Sequence, residues 1–405
     1  MALTDEQIET LADEYLVGLY QQMEKDVIQD VARRVRKTGR MTETAELMAK
    51  SMHEQGFSTA KIYAEVMKIL RADPAYMAEV AQNTLEYKKM VTEEILATVK
   101  AAQEMGNRLV ADAGMMAYNN DLSMWELAGA NLTKPSQVAQ IVASFQTDLN
   151  GQLRNLTRTT GFRGTLLGTT GVQQAYTRAL DVALLEVSTG TFSFDEACNR
   201  VVRELAHSGL RSIDYASGRS YQLDTAVRMN VRTASNQMAA RITEANCRNS
   251  GVDLVIVSQH EGARPDHVPC ENQVYSLSGK SDVYPPFSAP LGQGAGYGSV
   301  DGICGAGCRH RPYPFWEGIS KIPAPLPERA PVTVGGRTYT YYEATQKQRS
   351  MEREIRALKR EEYSAGSPED KRALQRKISA KTADYHSFSE AVGIRSKDNR
   401  LRVAA

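Results

Sequence analysis

Apolar residues recur at spacings of three and four through most of the first 250 residues. This period is typical of amphipathic helices that bury one face. The first stripe consists of Ile8, Leu11, Tyr15, Leu19, Met23 and Val27. The same pattern predicts further helices near 42–55, 58–71, 74–104, 107–118, 134–158, 172–188, 193–207 and 217–250. Between them, the Gly- and Thr-rich residues 160–171 are expected to form a loop.

The pattern changes after Gly251, which is a good C-cap for the last of these helices. VDLVIVS, residues 252–258, is a β-branched run that predicts a strand. Residues 259–330 are rich in Gly, Pro, Cys and His, which indicates a compact module dominated by loops. VTVGGRTYTYY, residues 332–342, predicts a hairpin about two adjacent glycines.

The end of the chain returns to helix. Residues 343–363 are charged on all sides, and a second helix is expected to start at Ser367. The predicted fold is therefore a mainly α N-terminal body, a small α+β, loop-rich Cys/His module and a helical C-terminal tail. The expected domains are listed in chain order: 1–160, 161–251, 252–330 and 331–405.

Charge and hydropathy argue against a uniformly basic nucleic-acid-binding protein and against a membrane-spanning one. The net charge of the 405 residues is +1, so any basic surface must be local. Residues 343–405 form the one clearly basic block, with 15 Lys and Arg against 10 Asp and Glu. Such a charge run is usually a solvated face, although it could also contact nucleic acid. No apolar run approaches the roughly 18 residues of a membrane span, and the N-terminus does not read as a secretion signal.

Five cysteines, an odd number in a long chain, favour reduced thiols over a disulfide framework. The Cys/His module concentrates the residues that could carry chemistry, namely His260, His267, Cys270, Cys304, Cys308 and His310. His-x-x-Cys and Cys-x-x-x-Cys spacings fit a structural zinc site, because zinc takes four N or S ligands tetrahedrally. Scattered packed cysteines and an activated Cys–His pair are the alternatives.

Two arginines, Arg264 and Arg309, flank these groups. The guanidinium fork suits either a carboxylate or backbone carbonyls. In a module with few apolar residues, an internal strut is favoured over an anion site.

Several motifs in and around the module also carry a family resemblance. HEGARPDH, QVYS, GYGSVDGICGAGCRH and PFWEGIS resemble the tailed-phage minor capsid protein 2 family, which is similar in turn to the Mu F-like head morphogenesis proteins. The resemblance implies a clustered set of His267, Cys304, Cys308 and His310, with His260 as a substitute. It discounts Cys270, because an aromatic residue is expected there.

The resemblance also implies the function. The expected protein is a structural, non-enzymatic minor head component of a tailed bacteriophage or prophage, made in the host cytoplasm and carried in the virion. It would be present in few copies beside the portal and would assist head assembly or DNA delivery. Its expected partners are the portal, the major head proteins and, through residues 343–405, packaged DNA, with no membrane. The alternative is a metal-dependent, nuclease-like enzyme carried in the capsid.

Overall fold

Long helices form the N-terminal body of the protein. The computed structural model describes residues 5–39, 43–132, 137–214, 219–327 and 329–404. The first six helices are α1 (Asp5–Ala12), α2 (Gly18–Gly39), α3 (Glu43–Glu54), α4 (Thr59–Ala72), α5 (Pro74–Leu127) and α6 (Gln137–Arg158). A π-helical turn, Asp13–Val17, joins α1 to α2. The predicted helix starts at 42, 134 and 217 lie outside the described residues.

Helix α5 differs from its prediction, because it runs without a break where two helices were expected. The Asp73 carboxylate caps its start by accepting from the backbone N–H groups of Ala75 and Tyr76. Gly106, at the predicted break, lies inside the helix where α6 approaches closely. A Cβ at that position would lie 3.4 Å from Leu153 Cδ1. This glycine therefore serves packing, and it does not end the helix.

The expected loop at 160–171 is a β-hairpin, so that prediction was wrong. Strands β1 (Thr160–Gly164) and β2 (Gly168–Gly171) pair antiparallel and extend to β3 (Arg211–Ile213) and β4 (Ser220–Gln222) in the order β2-β1-β3-β4. The glycines misled the prediction because they permit close strand contacts. A Cβ on Gly161 would lie 2.5 Å from the Thr170 carbonyl oxygen.

Three helices connect this sheet to the rest of the chain. They are α7 (Ala175–Val187), α8 (Phe194–Ser208) and α9 (Leu223–Asn249). Helix α8 begins with a capping box between Ser193 and Glu196. One cluster of buried apolar residues extends from Ile8 to Ile242 and so continues across residue 160. The division of the chain into four domains stays a prediction.

The Cys/His module follows α9. Its three short strands are β5 (Leu254–Val257), β6 (Val274–Ser276) and β7 (Pro312–Pro314), arranged β6-β5-β7 and all antiparallel. The predicted strand at 252–258 is thus confirmed. The module packs on the end of α5, where the Trp125 and Trp316 rings meet edge to face with centroids 5.0 Å apart.

The C-terminal segment contains the predicted hairpin, formed by β8 (Val332–Val334) and β9 (Arg337–Tyr339), followed by α10 (Tyr341–Tyr363) and α11 (Pro368–Ala391). The fold class is confirmed as mainly helical with a small α+β module.

Helix α10, however, does not have the solvated surface expected of a helix charged on all sides. It buries Arg356, Arg360 and Glu361 against the body, and Glu352 against Tyr385 of α11.

Buried ion pairs explain this packing of α10. The Asp224 carboxylate, at the start of α9, lies 3.0 Å from both Arg228 Nη1 and Arg356 Nε. Burial opposes its ionisation, but the charges of Arg356 and Arg228 hold the pKa of Asp224 well below its usual range. Arg360 lies near Glu24 and donates to the backbone carbonyl of Ala206 at 2.9 Å. Helices α2, α8, α9 and α10 are therefore joined by buried charge.

Among the described residues, no helix combines the length and the apolar character that crossing a membrane requires.

A second buried carboxyl group, Asp121 on α5, gives a pH-dependent prediction. Its oxygens accept from Thr243 Oγ1 at 3.1 Å and from Asn246 Nδ2 at 2.7 Å, both on α9. Burial raises its pKa to about 7, although these two hydrogen bonds act in the opposite direction. A carboxyl group whose pKa is raised by folding contributes its full stabilisation only at pH values below its unfolded pKa of about 4. That stabilisation is lost as the pH rises through about 7.

Asp121→Asn should therefore gain stability relative to the wild type as the pH rises. Each pKa unit is worth about 1.4 kcal/mol, so the expected gain in unfolding free energy between pH 5 and pH 8 is about 2–3 kcal/mol. Denaturant unfolding at both pH values measures it. Asp112→Asn, at an exposed position of the same helix, is the control. A gain that does not change with pH would contradict the assignment.

Candidate metal centre and its pocket

The candidate centre lies where two loops of the module meet. His267 precedes a short 3-10 turn, Val268–Cys270, between β5 and β6. Cys308 and His310 come just before β7. The pairing of β5 with β7 brings the two loops together, although 41 positions separate His267 from Cys308. All three side chains are buried, and one N or S atom of each lies within 4.8 Å of the others.

The cysteine sulfur lies between the two imidazoles. His267 Nδ1 is 3.5 Å and His310 Nδ1 is 3.4 Å from Cys308 Sγ. Ordinary zinc bond lengths, about 2.3 Å to sulfur and about 2.05 Å to nitrogen, give an S···N separation of roughly 3.6 Å in a tetrahedron. The observed separations are close to that value, so these three donors fit a zinc ion in size and in ligand type.

The far side of each imidazole is also satisfied. His267 Nε2 lies 2.7 Å from the carbonyl oxygen of Asp301, and His310 Nε2 lies 2.9 Å from Glu271 Oε1. Histidines that bind metal usually donate their other N–H to a carbonyl or carboxylate in this way, which directs the free nitrogen toward the metal. Burial, followed by the charge of His267, lowers the pKa of His310 to about 3. His310 is therefore neutral, as a metal ligand must be.

Cys304, the fourth residue of the expected set, is directed elsewhere. Its thiol donates to the carbonyl oxygen of His310 at 3.4 Å, and its backbone has the unusual φ of 64°. Burial raises its pKa well above the ordinary value, with a further increase from Cys308. The structure thus clusters three of the four expected residues and places the Cys304 thiol outside the group.

The substitute His260 forms a second group with Glu271 and His310. Its ring lies 4.3 Å from that of His310, measured between centroids, and its backbone N–H donates to Glu271 Oε1 at 2.9 Å. The discounted Cys270 is buried beside the carbonyl oxygen of Gly294, with Sγ at 4.0 Å from that oxygen. His260 is thus adjacent to the centre, whereas Cys270 is packed elsewhere in the module.

The two flanking arginines contact backbone carbonyls across the loops. Arg264 donates to the carbonyl of Asp301, approaches His267 Nε2, and its Nε lies 3.2 Å from Asp266 Oδ1. Arg309 donates to the carbonyl oxygen of Glu261 at 2.8 Å. These contacts connect loops that are distant in sequence.

Three supporting residues, Asn236, Glu271 and Arg311, were not predicted from the sequence. Asn236, fully buried on α9, donates to the carbonyl oxygen of Cys308 at 2.5 Å and accepts from Arg311 Nη2 at 2.9 Å. Glu271 holds His310, as described above. No spacing rule connects Asn236 with a residue 72 positions away. The position of Glu271 next to Cys270, in a segment already singled out, was the available signal for that residue.

A pocket of about 130 Å³ opens beside the centre, between the module and α10. Its walls are formed by Arg232 of α9, by His260, Gly262, Arg264, His267, Gly307, Cys308, Arg309 and His310 of the module, and by Tyr342, Thr345, Gln346 and Arg349 of α10. The three clustered side chains line it, so a metal held there would be reachable from the pocket.

Comparison with known proteins identifies the family. The model for "Phage minor capsid protein 2" matches residues 3–389, nearly the whole chain. The match includes the helical body and most of the C-terminal segment as well as the motifs of the module. No curated protein and no solved structure matches the chain. The match over this length shows that the chain belongs to the phage minor capsid protein 2 family.

Proposed function

We propose that this protein is a low-copy structural component of the phage head, located at the portal, that assists head assembly or DNA delivery. Family membership carries the proposal, since it supports a structural minor capsid role and a place in the virion. The long helices, joined by buried ion pairs, also suit a rigid structural part. The portal, the major head proteins and synthesis in the host cytoplasm belong to the proposal.

Quantitative mass spectrometry of purified proheads and mature virions tests this role. The particles would come from cells that express the chain together with its neighbouring head genes. We expect a few copies per particle, in constant ratio to the portal protein, in both particle types. A ratio that follows the major head protein would contradict the portal location, and absence from both particles would contradict the head role.

The Cys/His centre is proposed to be a zinc cross-brace of the module. His267, Cys308 and His310 would hold the ion, and Cys304 would remain outside the ligand set. Zinc would add to the stability that the small apolar core of the module supplies. The supporting observations are the two S···N separations of 3.4 and 3.5 Å and the hydrogen bonds at both Nε2 atoms.

Cys308→Ser should therefore lose the bound zinc and lower the melting temperature of the protein. Zinc per chain is measured by inductively coupled plasma mass spectrometry. We expect a fall from about one ion to less than one tenth, because even the loss of a residue that hydrogen-bonds to a ligand costs about 10–100-fold in metal affinity. Cys270→Ser, at a buried cysteine of the same module, is the control and should keep its zinc. Normal zinc content in Cys308→Ser would contradict the assignment.

One observation favours the enzyme alternative. Three protein ligands beside an accessible pocket are typical of catalytic zinc, whereas structural sites are usually closed by four. The Cys308→Ser variant separates these readings. A brace predicts lower melting temperature and lower incorporation into heads, whereas an enzyme predicts an intact fold with loss of a nuclease activity that the wild-type chain must first display.

DNA contact through residues 343–405 is proposed for the first half of α11. Helix α10 commits Arg356 and Arg360 to buried ion pairs, so they are not available to DNA. Helix α11, in contrast, exposes a group of four basic side chains near its start. These are Lys371, Arg372, Arg376 and Lys377.

Replacing these four residues with Gln should weaken non-specific binding to duplex DNA and reduce its salt dependence. If all four contact phosphates, the slope of log K against log salt should become smaller by roughly 3–4. Fluorescence anisotropy at several salt concentrations measures both quantities. Arg33→Gln together with Lys50→Gln, which removes exposed basic groups from the N-terminal body, is the control. An unchanged slope in the α11 variant would contradict this contact.

A further inference from the structure

The pocket beside the Cys/His centre has an unusual concentration of positive charge. Three different parts of the fold contribute guanidinium groups to its walls, and the full set is Arg232, Arg264, Arg309 and Arg349. Three histidines also line it, while its described lining residues include no carboxylate. Like charges gathered in a confined, partly desolvated space repel one another strongly and attract a counter-ion.

Two of these arginines are held in place by contacts described above. Arg264 is joined to Asp266 and the Asp301 carbonyl, and Arg309 is joined to the Glu261 carbonyl. Only Arg264 has a carboxylate among these partners. Arg309 donates one of its N–H groups to a carbonyl oxygen, which orients its guanidinium group. The module therefore presents fixed guanidinium groups to the pocket at little further entropic cost.

Arg349, on α10, differs from the others. It is half-buried, and within the described part of the chain it forms neither a hydrogen bond nor an ion pair. Burial, followed by the charges of Arg400, Arg232 and Arg309, lowers its pKa to about 10, so it is still charged at neutral pH. A half-buried charge with no partner is costly, and a bound anion would remove much of that cost.

Glu352, on the same helix, does not neutralise Arg349. Glu352 raises the pKa of Arg349 only as the smallest of the contributions, and its carboxylate is engaged elsewhere. It lies 3.7 Å from Arg400 Nη1 and accepts from Tyr385 Oη at 3.3 Å. The charge of Arg349 is thus left without a carboxylate partner among the described residues.

Shape and hydrogen-bonding groups narrow the class of ligand. Tyr342, Gln346 and Arg349 lie at spacings of four and three, so they share one face of α10 toward the pocket. The volume of about 130 Å³ is roughly ten times the 10–15 Å³ of such space that admits one water, which leaves room for a polyatomic ion. Several guanidinium groups around one space suit an anion with three or four oxygens better than a single carboxylate.

We propose that this pocket binds a phosphate-type oxyanion between the module and α10, with Arg349 as its principal contact. The proposal goes beyond the head role and does not rest on it, because it concerns the isolated chain. The phosphate group could come from inorganic phosphate or from nucleic acid, since both offer the same oxygens to the arginines. Either source would tie α10 to the Cys/His module through the bound anion.

Isothermal titration calorimetry of the full-length chain with inorganic phosphate, at ionic strength fixed by sodium chloride, tests the proposal. We expect one phosphate per chain, with an affinity that falls at least tenfold in Arg349→Gln. Arg353→Gln, at an exposed position one turn later on α10, loses the same charge outside the pocket and should bind as the wild type does. Arg349→Lys, which keeps the charge and loses the fork, should show an intermediate affinity.

Two further measurements keep the result unambiguous. Circular dichroism checks that Arg349→Gln is folded, and zinc content checks that the variant has not changed the neighbouring centre. If phosphate does not bind, or binds equally to Arg349→Gln and the wild type, the proposal is overturned. Acetate binding as tightly as phosphate would also overturn it, because the pocket would then be a carboxylate site.

The source of the phosphate is decided by competition. A fluorescent single-stranded oligonucleotide is bound to the chain, and inorganic phosphate is added. If phosphate displaces the oligonucleotide from the wild type but not from Arg349→Gln, nucleic acid is supported as the source. Phosphate binding that depends on Arg349, without any displacement of the oligonucleotide, supports the free ion. Oligonucleotide binding that depends on Arg349 but not on phosphate would contradict the proposed chemistry.

Discussion

The buried pairing of Asp224 with Arg228 and Arg356 is the interaction on which the rest of the arrangement depends. It holds the start of α9 against α10, and both helices carry walls of the pocket. Breaking such a pair leaves buried charges without a partner, at a cost of about 3–5 kcal/mol. The charged helix α10 is thus part of the body, and its position relative to the Cys/His module follows from this ion network.

Helix α9 supports the module from the other side. Asn236 holds the carbonyl of Cys308 and the guanidinium of Arg311, so it connects the helical body to the loop that carries two of the clustered residues. The module has a small apolar core, in which Val255, Tyr275, Phe287 and Ile303 are buried, and its sheet has three strands of three or four residues each. Polar contacts position its loops around this core, and the proposed zinc ion would add one more connection between them.

A cationic pocket beside a group of nitrogen and sulfur donors has two consequences for a head protein. The arginines make the pocket receptive to oxyanions, while two imidazole nitrogens and a cysteine thiolate would suit a zinc ion. The two proposed ligands differ in charge and occupy adjacent groups of residues. Membership of a capsid family accommodates both, because a structural part can be stabilised by a metal and by an anion without catalysing a reaction.

The sequence alone determined the features that depend on neighbours along the chain. Periodicity predicted most helices, β-branched and glycine patterns predicted β5 and the β8–β9 hairpin, and the family motifs singled out His267, Cys308 and His310. Tertiary structure decided the rest. Glycines at 161 and 106 permit close approaches that no local pattern reveals, Cys304 is directed away by its own backbone, and Arg356 reaches Gln222, 134 positions earlier. Such contacts depend on how distant helices pack, and local periodicity carries no information about them.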